Sequence, residues 1–159
     1  MTDYNIDFLI AGLVFLIFLL VHFQRYKKLN NISGRTFWFL IIAGIFDIIF
    51  DLLSSILLVK GNPAYNSWMI FFSTMLYILQ MIVVYIFFNY TQALRHCNED
   101  IRARNVKIMA VPILCMELAI VTNVFHKQFF YCNAQGQYVH GKAYLVTYIF
   151  TLICIAVVI

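Results

Sequence analysis

The stretch FWFLIIAGIFDIIFDLLSSILLV, residues 37–59, decides the fold class of this chain. It is long enough to cross the hydrocarbon core of a bilayer, which takes about 20 apolar residues in a helix. Two carboxylates, Asp47 and Asp51, lie four residues apart inside it, and no Lys or Arg accompanies them. The stretch therefore predicts a membrane span that carries a polar feature at mid-depth.

The composition of the whole chain supports the same class. Of its 159 residues, 64% are hydrophobic and 11% are charged, and the mean hydropathy is +0.87. Soluble domains are about half apolar and about a quarter charged, so these values indicate a polytopic membrane protein. The net charge of +4 is concentrated in two short loops, which is a topology signal and argues against a nucleic-acid partner.

Apolar stretches of membrane-spanning length recur along the chain, which predicts an all-α bundle with five transmembrane helices in a single domain, 1–159. The predicted spans cover about 6–22, 37–59, 67–94, 106–124 and 143–159. The last stretch is still apolar at Ile159, with no basic or aromatic residue to end it. We therefore expect the chain to be the N-terminal part of a longer protein.

The distribution of Lys and Arg predicts the orientation. Eight of them lie after the first and third spans, whereas three lie in the opposite loops: Lys60, Lys127 and Lys142. Because basic residues accumulate on the cytoplasmic side, the N-terminus is predicted to lie outside the cell.

Polar residues at helical spacing form stripes on the predicted spans. Together they are the candidate residues of an intramembrane polar cavity: Asp47, Asp51, Tyr77, Gln80, Glu117 and Tyr148. A carboxylate in the membrane costs about 2.5–3.5 kcal/mol on the insertion scale, so such residues should face one another, a cavity or a partner. Three interpretations stay open: interhelical hydrogen bonds that only join helices, a cavity for a polar ligand or a proton, and an ion pathway.

The predicted outer loop NVFHKQFFYCNAQGQYVHGKAY, residues 123–144, is rich in aromatic residues and carries a turn signal in NAQG. A short hairpin or a re-entrant lid is expected there, with His126, Tyr138 and His140 as lid candidates. A metal site would need Cys132 beside the two histidines, and solvated histidines are the simpler interpretation. The four cysteines show no disulfide or metal spacing, no catalytic motif of a soluble enzyme is present, and we expect no cofactor.

Three stretches carry a resemblance to a known family: FWFLIIAGIFDIIFDLLSS (37–55), LYILQMIVVYIFFNYTQAL (76–94) and VTNVFHKQFFYCNAQGQYVHGKAYLVTYI (121–149). In their order they resemble the multi-pass N-terminal region of membrane-bound GGDEF proteins, diguanylate cyclases of Firmicutes. The seven-helix sensor regions of bacterial histidine kinases are broadly similar. The resemblance implies a seven-helix bundle, with two further spans after Ile159 and a cytoplasmic output domain that would hold any cyclase activity.

The expected function is thus a sensor or input domain in a bacterial plasma membrane, non-enzymatic in this chain. Its expected partners are the lipid bilayer, an unidentified small ligand or a proton, and a second copy in a homodimer. The alternative is a small transporter or channel that uses the intramembrane carboxylates. A purely structural anchor is a third possibility.

Overall fold

The computed structural model describes residues 3–25, 31–60, 63–95, 98–133 and 138–158. Helices account for nearly all of them, so the predicted all-α class is confirmed. The helices are α1 (Asp3–Arg25), α2 (Ile32–Lys60), α3 (Asn66–Arg95), α4 (Glu99–Val121), α5 (Asn123–His126) and α6 (Tyr144–Val158). Between α5 and α6 lie two short strands, β1 (Phe130–Cys132) and β2 (Tyr138–His140).

Three of the helices are long and apolar enough to cross a membrane by length and composition, within Ile6–Arg25, Ile32–Leu58 and Asn66–Arg95. A shorter apolar helix occupies Tyr144–Ala156. In α4 five charged residues lie in the first nine positions, which leaves a shorter apolar part towards its C-terminal end. The membrane character of the prediction is therefore supported for three spans.

α3 is the central helix of the bundle. It packs against α2 most extensively, and also against α4, α6 and β1. Its buried side chains include Met81, Val84 and Phe88, which join Ile113 of α4 and Cys154 of α6 in one apolar core. Contacts with α3 therefore position α2, α4, α6 and β1 in the bundle.

α1 packs against α2 at two glycines. A Cβ at Gly12 would lie 3.3 Å from the Ile48 side chain, and one at Gly44 would lie 3.2 Å from the Leu16 side chain. Small residues let the two backbones approach closely, as is common between helices in membranes. Gly44, three residues before Asp47 on α2, thus lies against an apolar side chain of α1.

The start of α4 differs from the prediction. The fourth span was predicted to begin at about residue 106, but α4 begins at Glu99. Asn98 caps this helix, because its side chain accepts hydrogen bonds from the backbone N–H groups of Asp100 (2.9 Å) and Ile101 (3.4 Å). The acidic residues in the first turn of α4 further favour a helix start here.

Some predicted features fall outside the described residues. These are the basic residues Lys27 and Lys28 and most of the turn sequence NAQG, together with Ile159 at the end of the last predicted span. Elsewhere the predicted spans agree with α1, α2, α3 and α6 to within a few residues at most ends.

Candidate functional site

Asn123 lies just beyond the apolar part of α4, where the regular helix has ended. The prediction extended this span to residue 124, but the regular helix stops at Val121 and a short turn of helix, α5, follows. Asn123 is 2% exposed, and its side-chain amide both donates and accepts a hydrogen bond with backbone groups later in the chain. Its Nδ2 donates to the carbonyl of Phe130 (2.8 Å), and its Oδ1 accepts from the N–H of Phe129 (2.7 Å). One buried amide thus holds the start of the hairpin against the end of α4.

The predicted hairpin is confirmed. β1 and β2 pair in antiparallel register, with Phe130 opposite His140, Tyr131 opposite Val139 and Cys132 opposite Tyr138. The return strand is fixed by backbone bonds from Gly141 N–H to the Phe129 carbonyl and from Ala143 N–H to the Gln128 carbonyl, both 2.8 Å. A Cβ at position 141 would collide with the Gln128 carbonyl group, so this close approach requires glycine.

Six rings form a continuous set between the hairpin and the two helices beneath it. We call this set the hairpin cluster; its members are Tyr77, Phe130, Tyr138, His140, Tyr144 and Tyr148. Successive ring centroids are 5.1, 5.9, 5.0, 4.0 and 5.1 Å apart in that order along the set. These separations lie in or near the range of favourable aromatic pairs, each of which adds about 0.5–1.5 kcal/mol to area burial.

Phe130 is the centre of the hairpin cluster. It is 1% exposed and stacks on Tyr77 of α3 with an interplanar angle of 10°, and on Tyr138 of β2 with an angle of 16°. His140 then lies between Tyr138 and Tyr144, which is the first residue of α6. The cluster therefore links α3, both strands and α6 through direct ring contacts.

The tyrosine hydroxyl groups of the hairpin cluster converge. The hydroxyl oxygens of Tyr77 and Tyr138 are 3.5 Å apart, which is longer than an ordinary O–H···O hydrogen bond. The Tyr148 hydroxyl lies within reach of both Tyr77 and Tyr144. Burial raises the pKa of the Tyr138 hydroxyl, and it also raises the pKa of the nearby Cys132 thiol. The two hairpin groups are thus neutral at physiological pH.

Asp47 and Asp51, on α2, are not part of the hairpin cluster. Close to them, the Ser54 hydroxyl of α2 meets the Ser73 hydroxyl of α3 at 3.3 Å, and Ser55 donates to the Asp51 carboxylate. Asp47 interacts electrostatically with Asp51, but its buried Oδ1 has no hydrogen-bond partner in the described part of the chain. Tyr77, which was predicted to share a cavity with these carboxylates, stacks on Phe130 of the hairpin instead.

Glu117 occupies a third place, in a cleft between α3 and α4. We call it the α3–α4 groove; it has a volume of about 260 Å³ and is lined by Ile82, Tyr85, Ala110, Ile113, Leu114 and Glu117. All of these side chains except Glu117 and the tyrosine ring are purely aliphatic. Glu117 has no charged or hydrogen-bonding partner among the described residues.

The nine predicted site residues therefore fall into separate groups. The hairpin cluster brings together Tyr77, Tyr138, His140 and Tyr148, whereas Asp47 and Asp51 stay on α2 and Glu117 lies in the α3–α4 groove. Gln80 is partly buried on α3, and His126 is exposed at the end of α5. Among the residues that the structure describes, no three His, Cys, Asp or Glu side chains are grouped as a metal would require.

Two central residues were not among the predicted site residues. Phe130 and Asn123 are almost completely buried, yet in the sequence one is a single ring in an aromatic loop and the other marks the end of an apolar stretch. The available signal was the Thr-Asn pair at that end, since an amide there can bond to backbone groups of the following loop.

The chain matches no protein-family model, no curated protein and no solved structure.

Proposed function

We propose that the chain is the membrane-embedded sensor or input domain of a bacterial signalling protein. The hairpin would receive a stimulus at the outer face of the plasma membrane, and α6 would pass it towards the cytoplasm. In this proposal α4 and α6 also cross the bilayer, which gives five spans and an outside N-terminus. The unit would work as a homodimer, and the resemblance to GGDEF proteins suggests a seven-helix region followed by a diguanylate cyclase.

The observation that supports this proposal is the hairpin cluster. Tyr138 and His140 come from β2, Tyr77 comes from α3, and Tyr144 and Tyr148 come from α6. A displacement of the hairpin therefore changes ring contacts with the first two turns of α6. A ligand or proton would act only through different affinities for two such packings, and a change from 1:99 to 99:1 needs a difference of about 10⁴-fold.

The test is to break the cluster at its centre in the full-length protein in membranes. Phe130→Ala should abolish stimulus-dependent output, measured as cyclic diguanylate formation if the output is a cyclase, while the protein still folds. Phe125→Ala is the matched control, because Phe125 lies in the same segment but is 81% exposed and outside the cluster. Equal output from the Phe130 and Phe125 variants would contradict the proposal.

A small transporter or channel is the second candidate, and Asp47 is the observation that favours it. Its Oδ1 is buried on a membrane-length helix without a hydrogen-bond partner in the described part, as expected of a group that binds an ion or proton transiently. Proteoliposomes with an entrapped pH indicator would test this. Proton flux that Asp47→Asn abolishes and Glu117→Gln retains would favour transport over sensing. If neither variant alters flux, output or stability, the chain is a purely structural anchor.

A further inference from the structure

The α3–α4 groove has a polar end and an apolar body. Glu117 and Ala110 both line it and are seven residues apart on α4, so the groove extends about 10 Å along the helix axis. Glu117 marks the end nearer the hairpin, since α4 ends at Val121. Ile82, Ile113 and Leu114 provide the aliphatic walls below it.

The carboxylate has no cation of its own. No Lys or Arg occurs in residues 108–121 of α4 or in residues 66–94 of α3. Ionisable residues within membrane helices are rare, pair with a partner or line a cavity, and mark functional sites by default. Glu117 lines a cavity and lacks a partner in the described residues, so a partner supplied from outside the chain would complete the arrangement.

We propose that the α3–α4 groove binds an amphiphilic cation, with an ammonium group at Glu117 and an alkyl chain along the aliphatic walls. Charge complementarity selects the head group, because a carboxylate accepts charge-assisted hydrogen bonds from an ammonium group. The volume of about 260 Å³ is slightly below the usual range of ligand pockets, about 300–1,000 Å³, so the ligand is a single short chain and not a bulky ring system.

The groove is separate from the hairpin cluster, and the inference goes beyond the proposed function. None of the six groove residues belongs to the cluster, which lies around the outer hairpin. Binding to the groove can be measured without any signalling output. The groove inference and the proposed sensor function can therefore fail independently of each other.

Octylammonium is a suitable probe because its chain is short and its head group is a primary ammonium. Saturable binding of the labelled probe would be measured with the purified chain in nanodiscs of zwitterionic lipid, with empty nanodiscs as background. Octan-1-ol has the same chain without the charge. The wild-type chain should bind octylammonium at least about tenfold more tightly than octan-1-ol, as one charge-assisted contact implies.

Three variants make the test specific. Glu117→Gln should weaken octylammonium binding about tenfold and leave octan-1-ol binding unchanged. Ala110→Phe should fill the groove and weaken binding of both probes without a change of charge. Asp47→Asn, which removes a carboxylate from another helix, should bind as the wild type does. A melting curve for each variant confirms folding, and Ala110→Leu replaces Ala110→Phe if the larger ring prevents it.

The inference is overturned if no saturable binding occurs, or if Glu117→Gln binds octylammonium as tightly as the wild type. Equal wild-type affinities for the two probes would show an apolar cleft without head-group recognition and would overturn it as well. Undiminished binding to Ala110→Phe would place the probe outside the groove.

Discussion

Asn123 is inconspicuous in the sequence, but in the structure its side chain holds the start of the hairpin in place. Its amide bonds to the backbone of Phe129 and Phe130 from a position that is 2% exposed. Buried backbone groups need partners, and no regular ladder provides them where a helix gives way to a hairpin. The amide side chain replaces that ladder and thereby sets the angle at which the hairpin leaves α4.

Asn123→Ala should therefore destabilise the hairpin more than an ordinary surface change. It leaves two buried backbone groups unpaired, each at a cost of about 1–3 kcal/mol. Hydrogen–deuterium exchange of the Phe129 amide should become faster, and the free energy of unfolding should fall by about 2–6 kcal/mol. Thr122→Ala is the control, because its exposed hydroxyl bonds only within α4, to the Ala119 carbonyl. Equal losses in the two variants would contradict this role of Asn123.

Asp47 is a residue whose removal should stabilise the fold. Its buried Oδ1 has no partner in the described part, whereas Asp51 accepts a hydrogen bond from Ser55. Asp47→Leu removes an unpaired polar group and should raise the unfolding free energy in detergent by about 1–3 kcal/mol. Asp51→Leu, which also deprives Ser55 of its acceptor, should give a smaller gain. A loss of stability in Asp47→Leu would show that Asp47 has a stabilising partner in the folded protein.

Strand pairing alone does not stabilise the hairpin. Two strands of three residues are not stable by themselves in water. Stacking of Phe130 on Tyr77 and of Tyr138 on Phe130, together with the backbone hydrogen bonds of Gly141 and Ala143, supplies the rest of the stability. The hairpin should therefore respond to changes at the hydroxyl groups beneath it.

The hairpin should loosen at high pH because burial raises the pKa of Tyr138 in the folded protein. A raised pKa means that the folded state favours the neutral phenol. The corresponding stability is complete below the unfolded pKa of about 10, and it declines as the pH rises through the folded value.

An ultraviolet titration of phenolate formation checks this expectation. The difference between the wild type and Tyr138→Phe should show one tyrosine that ionises above about pH 10, the value for an unperturbed tyrosine. The same difference measured in denaturant should show ordinary ionisation. A titration that is the same in both states would contradict the burial of this hydroxyl group.

The other helices of the molecule are arranged around α3. The orientation of the whole molecule across the membrane can be tested at the two ends of α4. Arg104 lies near the start of α4, and Lys127 follows α5 at the hairpin end. Basic residues predict that Arg104 is cytoplasmic. In a cysteine-free background, a membrane-impermeant maleimide applied to intact cells should label Lys127→Cys at once and Arg104→Cys only after permeabilisation.

That pattern would mean that α4 crosses the bilayer, beyond the three helices of clear spanning length. Lys142→Cys serves as a second label on the hairpin side, because Lys142 is exposed just before α6. Labelling of Arg104→Cys and Lys127→Cys from the same side would rule out a spanning α4, and labelling of Arg104→Cys alone would reverse the predicted orientation.

The sequence by itself determined the elements. Long apolar stretches can satisfy their backbone groups in lipid only as helices, so the approximate positions of α1, α2, α3 and α6 follow from hydropathy. The turn residues and aromatic residues of 123–144 similarly indicated a hairpin. The start of α4 was missed because the cap at Asn98 competes with continuation of α3, and hydropathy does not distinguish the two.

Only the tertiary structure decided which side chains meet. The Tyr77 hydroxyl lies 3.5 Å from that of Tyr138, 61 residues away, while Ser73 one turn earlier contacts Ser54 of α2. Periodicity places residues on a face of their own helix but does not say which neighbour that face meets. Because α3 has α2, α4 and α6 as neighbours, residues expected in one cavity are divided among the hairpin cluster, α2 and the α3–α4 groove.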